Sequence, residues 1–349
     1  MSHNDKPTIF LLLAAYRGAA YLPQLVESIR LQTRRDWTLL ARDDGSPDAT
    51  PGLLHQAAGA DERIAVIEDG RGRLGPSGNY AALMEEALGR GAQYLFFADQ
   101  DDVWRPEKLR RQMQSMEEGE WSAGRRRPHL VYCDLAVMDH RLRLLHPSLL
   151  AYSRLRHGAG RPLRTLVGRN FASGCACGLN RPLAELALPL PSPVAMYDWW
   201  VALCAAAAGH VSQVPEPLVL YRRHPGTVTG QGGFWSTFNP LRPGWRRRWQ
   251  TGVQNFRRSR EQVRALRDRL RQRSAGDDDS LQLLDRFCQV VDRPGHPCRR
   301  LRELARLGIP ALDPARRLLY YLCTLLATAP PPGRRQLPPA ALSGGARPG

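Results

Sequence analysis

The stretch Tyr94-Leu-Phe-Phe-Ala-Asp-Gln-Asp-Asp-Val-Trp104 places three carboxylates within four positions, directly after an apolar run. The apolar run predicts a buried strand, and the acids follow at its end. Carboxylates this close together raise one another's pKa, and a divalent cation bound between them relieves the repulsion. Hard oxygen ligands favour Mg²⁺ or Mn²⁺ over Zn²⁺. Taken alone, these residues fit equally well an acidic turn that caps a helix starting near Pro106.

Apolar and amphipathic segments alternate around this stretch. Strands are predicted at residues 8–15, 37–41, 63–67 and 94–98, and helices at residues 22–31, 50–58 and 77–89. Strand followed by helix, repeated, indicates an α/β fold with a parallel sheet and crossover helices on both faces. Ligands bind beyond the carboxyl ends of the strands in such a sheet. Polar clusters follow three of these strands, as expected of a nucleotide site: Tyr16-Arg17, Asp43-Asp-Gly-Ser46 and Asp99-Gln-Asp-Asp102.

The pattern changes after Pro128. A strand is predicted at residues 129–134, an irregular basic stretch continues to residue 169, and the small residues at 170–178 permit close backbone approach. A helix predicted at about residues 196–208 begins with Tyr197-Asp-Trp-Trp200, and short strands follow around Val211 and Leu218. We interpret this half as the part that faces an acceptor.

The C-terminal third carries most of the charge. The chain has 349 residues, 43% of them hydrophobic, and a net charge of +17, which is enough length and apolar content for a sizeable core. Residues 1–230 contribute +3 to that charge, and residues 231–349 contribute +14. We therefore divide the chain into a catalytic domain at residues 1–230, a basic helical region at residues 231–330 and a Pro-, Gly- and Ala-rich tail at residues 331–349 that is predicted to be disordered. Helices within the basic region are predicted at residues 253–273, 280–291 and 298–307.

The apolar segments predict where in the cell the protein is located. None reaches the roughly 18 consecutive apolar residues that a membrane span requires. Residues 8–15 have neither the basic leader nor the cleavage site of a signal peptide. We expect a cytoplasmic protein whose seven cysteines form no two-pair zinc pattern and are mostly small core residues.

Seven of these clusters, in this order, resemble the family 2 glycosyltransferases, and especially the bacterial rhamnosyltransferase-like members that build surface polysaccharides such as O-antigen. The resemblance covers about residues 8–230 and implies the GT-A fold, with a Rossmann-like nucleotide-binding sheet. It also implies a nucleotide-sugar donor, inverting transfer and a divalent Mg²⁺ or Mn²⁺. The clusters are Ala15-Tyr-Arg17, Arg42-Asp-Asp-Gly-Ser46, Leu74-Gly-Pro-Ser-Gly-Asn79, Asp99 to Trp104, Asn170 to Cys175, Asp198-Trp-Trp200 and Tyr221 to His224.

This chain departs from the family pattern at two places. The family usually has Thr-Tyr-Asn after the first strand, where this chain has Ala15 and Arg17, and the loop on the diphosphate side carries Arg73 and Pro76. Both changes touch the nucleotide contacts, so they bear on the identity of the donor more than on the type of reaction.

The resemblance assigns roles to individual residues. Asp44, with Asp43 beside it, is assigned to the pyrimidine base, where a carboxylate can accept from the base N3–H; for Asp43 a hydrogen-bonded turn is an equally good interpretation. Asp101 is assigned to direct metal ligation, and Asp99 to the ribose or the metal. The other predicted contacts are Tyr16, Asn79 and Gln100 with the nucleotide sugar, Arg222 and Arg223 with its diphosphate, and His224 with the metal.

Asp198 matches the catalytic base of the family. Inverting transfer needs one carboxylate to remove the proton of the acceptor hydroxyl, whereas a glycoside hydrolase usually needs a pair. Trp104, Trp199 and Trp200 are predicted on the acceptor side, since aromatic faces beside a carboxylate suit a sugar. An N-terminal helix cap for Asp198 and core packing for the tryptophans are the structural alternatives.

Three other functions were weighed. Arginines interleaved with Trp245, Trp249 and Phe256 fit a nucleic-acid binder, but we favour peripheral contact of this region with the anionic inner face of the cytoplasmic membrane, because such transferases use lipid-linked acceptors. A processive synthase is disfavoured because Trp245 stands where its motif before Arg248-Trp249 needs Gln or Arg. A binding protein without catalysis is disfavoured by Asp101 and Asp198.

The expected donor is dTDP-rhamnose, with a UDP-sugar for galactosyl or N-acetylhexosaminyl transfer as the alternative.

Overall fold

One mixed β-sheet organises the protein, which we describe from a computed structural model covering residues 8–153, 162–192, 194–223, 245–292 and 297–309. Its strands are β1 (Ile9–Ala15), β2 (Trp37–Asp43), β3 (Ile64–Val66), β4 (Tyr94–Asp99), β5 (Val103–Trp104), β6 (His129–Met138), β7 (Leu144–His146), β8 (Cys177–Asn180) and β9 (His210–Arg222). The helices are α1 (Leu22–Arg30), α2 (Thr50–Ala60), α3 (Gly75–Gly89), α4 (Lys108–Ala123), α5 (Leu149–Tyr152), α6 (Pro162–Gly168), α7 (Arg181–Ala187), α8 (Tyr197–Ala208), α9 (Trp245–Gln272), α10 (Asp278–Asp292) and α11 (Pro297–Arg306).

The order of the strands brings the predicted polar clusters together. The sheet runs β3-β2-β1-β4-β8-β6-β9-β5, and β7 pairs with β6. The first four strands are mutually parallel, β8 is antiparallel to both β4 and β6, and β9 is parallel to β6. The carboxyl ends of β1, β2, β4, β6 and β9 therefore share one edge, which is the edge where ligands bind in such sheets.

Helices cover both faces of the sheet, as the sequence predicts. On one face α1, α2 and α4 pack on alternate residues of the strands, such as Leu11, Leu13 and Phe96. On the other face α3, α7 and α8 pack on the residues between them, such as Leu12 and Phe97. The two-residue period of a strand sends neighbouring side chains to opposite faces, so an uninterrupted apolar run is the mark of a strand that is buried on both sides.

The three C-terminal helices are present as predicted, and their apolar faces are buried. Val263, Leu266 and Leu270 of α9 and Leu284 of α10 are fully buried in the same cluster as Trp200 of α8. The described part of the basic region thus shares the core of the catalytic domain. Within the described residues no helix combines the length and apolar character needed to cross a bilayer. The tail at residues 331–349 lies outside the described residues.

The structure differs from the sequence prediction in the second half of the sheet. β6 continues to Met138, where an irregular stretch was predicted, and a hairpin leads from it into β7. β9 is a single strand of 13 residues where two short strands were predicted. The register between β6 and β9 shifts from Cys133↔Val214 to Asp134↔Pro217. A bulge of this kind lets a strand pass through prolines that break its local pattern.

Candidate functional site

Asp99, at the end of β4, is held by Tyr80 of α3, which packs against Tyr197 of α8. The hydroxyl of Tyr80 lies 2.6 Å from Asp99 Oδ1 and 2.8 Å from the Ala98 carbonyl oxygen. Tyr80 in turn stacks on Tyr197 with their ring centroids 4.0 Å apart. Burial, and next the charge of Asp101, raise the pKa of the Asp99 carboxyl. Asp99 is therefore a carboxyl group with a raised pKa that a tyrosine hydroxyl holds in place.

Asp102 is the second buried acid of this loop. It is fully buried, and its Oδ1 accepts from the backbone N–H of Arg222 at 3.2 Å. Its Oδ2 has no hydrogen-bond partner among the described residues. Burial, followed by the charges of Asp101 and Asp99, raises the pKa of Asp102.

These acids form a group that fits a divalent cation. Ligand atoms of Asp99, Asp102 and the buried thiol of Cys175 all lie within 4.8 Å of one another. Asp101, which is half-buried, lies close enough to raise the pKa of both acids. A buried carboxylate oxygen without a partner is costly, and a hard cation held by the acids would remove that cost. The structure brings Asp102 and Cys175 into this group with Asp99, whereas the predicted ligand Asp101 is not part of it and His224 lies outside the described residues.

The side chain of Arg222 is buried and bonded to the acidic loop, so it is not available to pair with a diphosphate. Its side chain is 2% exposed. The guanidinium donates to the carbonyl oxygen of Asp101 at 2.9 Å, to that of His140 at 2.7 Å and to the side chain of Gln24. The prediction that Arg222 pairs with the diphosphate is corrected accordingly. Arg223 is partly exposed and donates to the Tyr152 hydroxyl at 3.1 Å.

Gln100 joins the loops that follow β4 and β1. Its side-chain amide donates to the Tyr16 carbonyl oxygen and accepts from the Tyr16 N–H, both at 2.8 Å. A Cβ on Gly18 would lie 2.2 Å from Gln100 Oε1, so this close approach requires glycine. The ring of Tyr16 faces the guanidinium of Arg73 at 4.1 Å. Gln100 thus orients Tyr16, whose ring lies at the predicted nucleotide side.

Asp43 and Asp44 both accept hydrogen bonds from neighbouring backbone N–H groups. Asp43 accepts from the N–H groups of Gly45 and Ser46 at 3.0 and 2.7 Å, which closes the predicted turn. Asp44 is 3% exposed and accepts from the N–H groups of Leu74 and Gly75 at 2.6 and 2.8 Å. Asp44 therefore anchors the start of α3 in this structure, and a nucleobase that binds it would have to compete with those two N–H groups.

Arg42 and Asn79 complete this anchor. Arg42 is buried, lies 3.3 Å from Asp44 and pairs with both oxygens of Asp69. Asn79 is 2% exposed and exchanges hydrogen bonds with the Arg42 guanidinium and carbonyl oxygen at 3.3 and 3.2 Å. Asn79 is thus buried beside Arg42, where it supports the residues near the predicted nucleotide site.

Asp198 is a separate buried carboxylate in the first turn of α8. Its Oδ1 accepts from the Trp199 N–H at 2.6 Å and its Oδ2 from the Gly174 N–H at 3.0 Å. The side chain is 9% exposed, and burial raises its pKa to about 6. Asp198 is not the N-cap of α8, because Met196 occupies that position, and the two N–H bonds hold the carboxylate within the first turn. A carboxyl with this pKa is ionised at neutral pH and remains a useful base.

The three predicted acceptor-side tryptophans do not share one environment. Trp200 is fully buried and donates to the Ala187 carbonyl oxygen at 2.8 Å. Trp104 is 2% exposed, and the Lys108 Nζ lies 3.7 Å from its ring centre. The structure places both in the core, which corrects their predicted position beside an acceptor. Trp199 remains partly exposed and donates to the Leu166 carbonyl oxygen at 2.6 Å.

The sequence did not reveal which residues hold the predicted site residues in position. Tyr80 positions Asp99, and Arg42 positions Asp44. Each directly adjoins a predicted residue, since Tyr80 follows Asn79 and Arg42 precedes Asp43. Cys175 lies within the small-residue segment that signals close approach, but a thiol there gives no sign of which loop it will meet.

Comparison with known proteins finds similarity over about the first half of the chain. Residues 11–183 match the family model described as glycosyl transferase family 2. The putative teichuronic acid biosynthesis glycosyltransferase TuaG of Bacillus subtilis (strain 168) is 32% identical over 116 residues, which cover 33% of this chain and 44% of TuaG. The succinoglycan biosynthesis protein ExoO of Rhizobium meliloti (strain 1021) is 35% identical over 108 residues, which cover 31% of this chain and 29% of ExoO. The matched segments therefore span less than half of either relative.

A solved structure shows the same fold. The crystal structure of S. aureus TarS 1-349 in complex with UDP-GlcNAc superposes with a TM-score of 0.56, covering 92% of this chain and 88% of that one. The sequence identity is 12%, so the likeness concerns the fold alone.

Proposed function

We propose that the protein is an inverting, metal-dependent glycosyltransferase, because residues 11–183 match the glycosyl transferase family 2 model. One observation carries the proposal: two carboxylate groups with different surroundings stand at the same edge of the sheet. The acids of the Asp99 to Asp102 loop leave a buried oxygen unpartnered, which suits a cation. Asp198 is held by backbone N–H groups and lies close enough to raise the pKa of Asp99.

Asp198 is the proposed base of a single displacement. Its carboxylate takes the proton of the acceptor hydroxyl as that oxygen bonds to the anomeric carbon from the face opposite the nucleotide. The bond from that carbon to the diphosphate oxygen breaks, its electron pair leaves with the diphosphate, and the configuration inverts. Asp99, Asp101 and Asp102 would hold the divalent cation, which when bound stabilises the negative charge of the departing diphosphate.

For the substrates we propose dTDP-rhamnose as donor and a lipid-linked saccharide as acceptor, in the synthesis of a bacterial surface polysaccharide at the inner face of the cytoplasmic membrane. The sequence resemblance supports the sugar. The names of TuaG and ExoO, which refer to teichuronic acid and succinoglycan biosynthesis, support the polysaccharide. A UDP-sugar donor is the alternative, supported by the UDP-GlcNAc in the TarS complex.

The donor is tested by thermal unfolding with dTDP-rhamnose, UDP-galactose, UDP-N-acetylglucosamine or GDP-mannose, each with and without Mn²⁺. We expect dTDP-rhamnose with Mn²⁺ to raise Tm by about 2–4 °C at roughly ten times its Kd, because a ligand bound only by the folded state stabilises it. dTDP without sugar is the matched control for the contribution of the nucleotide. A response to a UDP-sugar would replace rhamnose and keep the reaction, whereas no response to any donor would contradict the proposal.

A second prediction concerns pH. The rate of transfer with saturating Mn²⁺ is expected to fall as pH drops below about 6, because burial raises the pKa of Asp198 to about 6 and only its ionised form accepts a proton. The effect on stability has the opposite sign. The folded protein binds this proton more tightly than the unfolded chain does, so the stabilisation from Asp198 is complete below pH 3.8 and is lost as pH rises through about 6. Transfer rates and unfolding curves measured from pH 5 to 8 check both, and a rate that stays constant down to pH 5 would contradict the role of Asp198.

A further inference from the structure

The hairpin that joins β6 to β7, residues 139–146, exposes apolar side chains beside the candidate site. Leu144 and Leu145 are 59% and 56% exposed. Tyr152 of α5 is 51% exposed, and its ring centre lies 5.4 Å from that of His146. Among the described residues six large apolar side chains are exposed, and three of them belong to this patch. Such clustering marks a surface for interaction.

The β6–β7 hairpin is connected to the acidic loop through Arg222. The Arg222 guanidinium donates to the carbonyl oxygen of His140 in the hairpin and to that of Asp101 in the loop, at 2.7 and 2.9 Å. The next residue, Arg223, donates to the Tyr152 hydroxyl at 3.1 Å. One guanidinium therefore joins the hairpin at His140 to the acidic loop at Asp101, which fixes the hairpin relative to the loop that the proposed transfer uses.

The charges around the apolar pair are mainly positive. Arg141 and Arg143 are exposed in the tip of the hairpin, and the side chain of Arg143 is 72% exposed. Asp139 accepts from the backbone N–H groups of both arginines and from the Arg143 Nε. An ion pair this exposed is weak, so Arg143 can exchange its partner for another anion. Apolar side chains flanked by arginine are the composition that binds an anionic lipid surface.

The apolar side chains of α9 and α10 whose burial the structure describes are already covered. Val263, Leu266 and Leu270 of α9 and Phe287 of α10 are buried in the core. Arg264 and Arg271 of α9 pair with Asp292 and Asp285 of α10. Their apolar faces are therefore already covered, whereas that of the hairpin is not.

We propose that the β6–β7 hairpin docks the catalytic domain on an anionic membrane surface, with Leu144 and Leu145 among the acyl chains and Arg141 and Arg143 at the lipid phosphates. The inference rests on the proposed function for its lipid-linked acceptor. Docking through this hairpin would bring the edge of the sheet that carries Asp101 and Asp198 to the surface from which such an acceptor is presented.

The test is sedimentation of the full chain with vesicles of phosphatidylglycerol mixed with phosphatidylcholine, and with phosphatidylcholine alone. Leu144→Asp is expected to weaken binding to the anionic vesicles about tenfold, because it removes an apolar contact and adds a negative charge. Arg141→Glu is expected to weaken binding comparably and to reduce its dependence on salt. Leu31→Asp is the matched control, since Leu31 is 55% exposed and follows α1 at the opposite edge of the sheet. Point variants are used because truncation would remove the residues that α9 contributes to the core.

The docking inference would be overturned by no binding of the native protein to anionic vesicles, by unchanged binding of both hairpin variants, or by an equal loss in Leu31→Asp. If light scattering shows a dimer that Leu144→Asp dissociates while vesicle binding persists, the patch is a contact between subunits and the membrane inference is wrong.

Stabilisation by donor and Mn²⁺ is measured on the same variants. It should equal that of the native protein, so a failure of docking is distinguished from a failure of the proposed transferase activity.

Discussion

Asp198→Asn is expected to lower the kcat of sugar transfer by about 10²- to 10⁴-fold, the usual contribution of a positioned general base. The carboxamide has nearly the same shape as the carboxylate but cannot accept the proton of the acceptor hydroxyl. Donor binding should be unchanged, because the metal and nucleotide are assigned to the acidic loop and the first two strands. Steady-state transfer and donor-induced thermal stabilisation, measured on the same preparation, separate these two effects.

The local cost of this substitution is small enough to keep the protein folded. Asn has one oxygen, so it keeps one of the two bonds from the Gly174 and Trp199 N–H groups, and losing the other costs about 1 kcal/mol. Asp277→Asn is a matched control, because Asp277 accepts from the Ser280 N–H at the start of α10. Transfer should be unaffected in the control. Unchanged turnover in Asp198→Asn would show that another group removes the proton.

Asp101→Asn is expected to lower metal-dependent transfer by about 10²-fold or more, since a cation at the leaving group contributes several kcal/mol of charge stabilisation. The variant should also lose the additional thermal stabilisation that Mn²⁺ gives in the presence of donor. The physical reason is that an amide oxygen is a neutral ligand, and removing one of three neighbouring charges weakens the attraction for a divalent cation. Mn²⁺ titration followed by unfolding temperature measures this without relying on turnover.

Asp102→Asn resolves which acid of the loop holds the cation. If Asp102 binds through its unpartnered Oδ2, its variant should lose as much Mn²⁺ affinity as Asp101→Asn does. Asp61→Asn is the control, because Asp61 follows α2 and pairs with Arg63 away from the loop. Native Mn²⁺ affinity in both loop variants would contradict a metal site at these acids.

The loop and its surroundings show why several acids can be kept buried so close together. The Asp101 carbonyl oxygen and the Asp102 carboxylate both receive hydrogen bonds from Arg222. Tyr80 supplies a hydroxyl to Asp99. These bonds stabilise the loop, and a bound cation or protonation would stabilise it further.

Local sequence patterns were sufficient to predict the first half of the fold. Strands β1 to β4 and helices α1 to α3 were predicted close to their observed bounds, because buried strands and amphipathic helices have local periods that the chain shows directly. Topology then required the polar residues after β1, β2 and β4 to meet at one edge. Asp99 and Asp101 were singled out from residue type and position, and Asp198 through the family resemblance.

The contacts of those residues depend on the tertiary structure. Asp44 meets Leu74 and Gly75, Gln100 meets Tyr16 across 84 positions, and Arg222 meets the acidic loop across about 120 positions. The burial of Trp200 under α9 and the exposure of Leu144 are likewise set by elements distant in the chain. Periodicity reports which face of an element is apolar, but which partner covers that face depends on packing among elements far apart in sequence, and no local pattern records it.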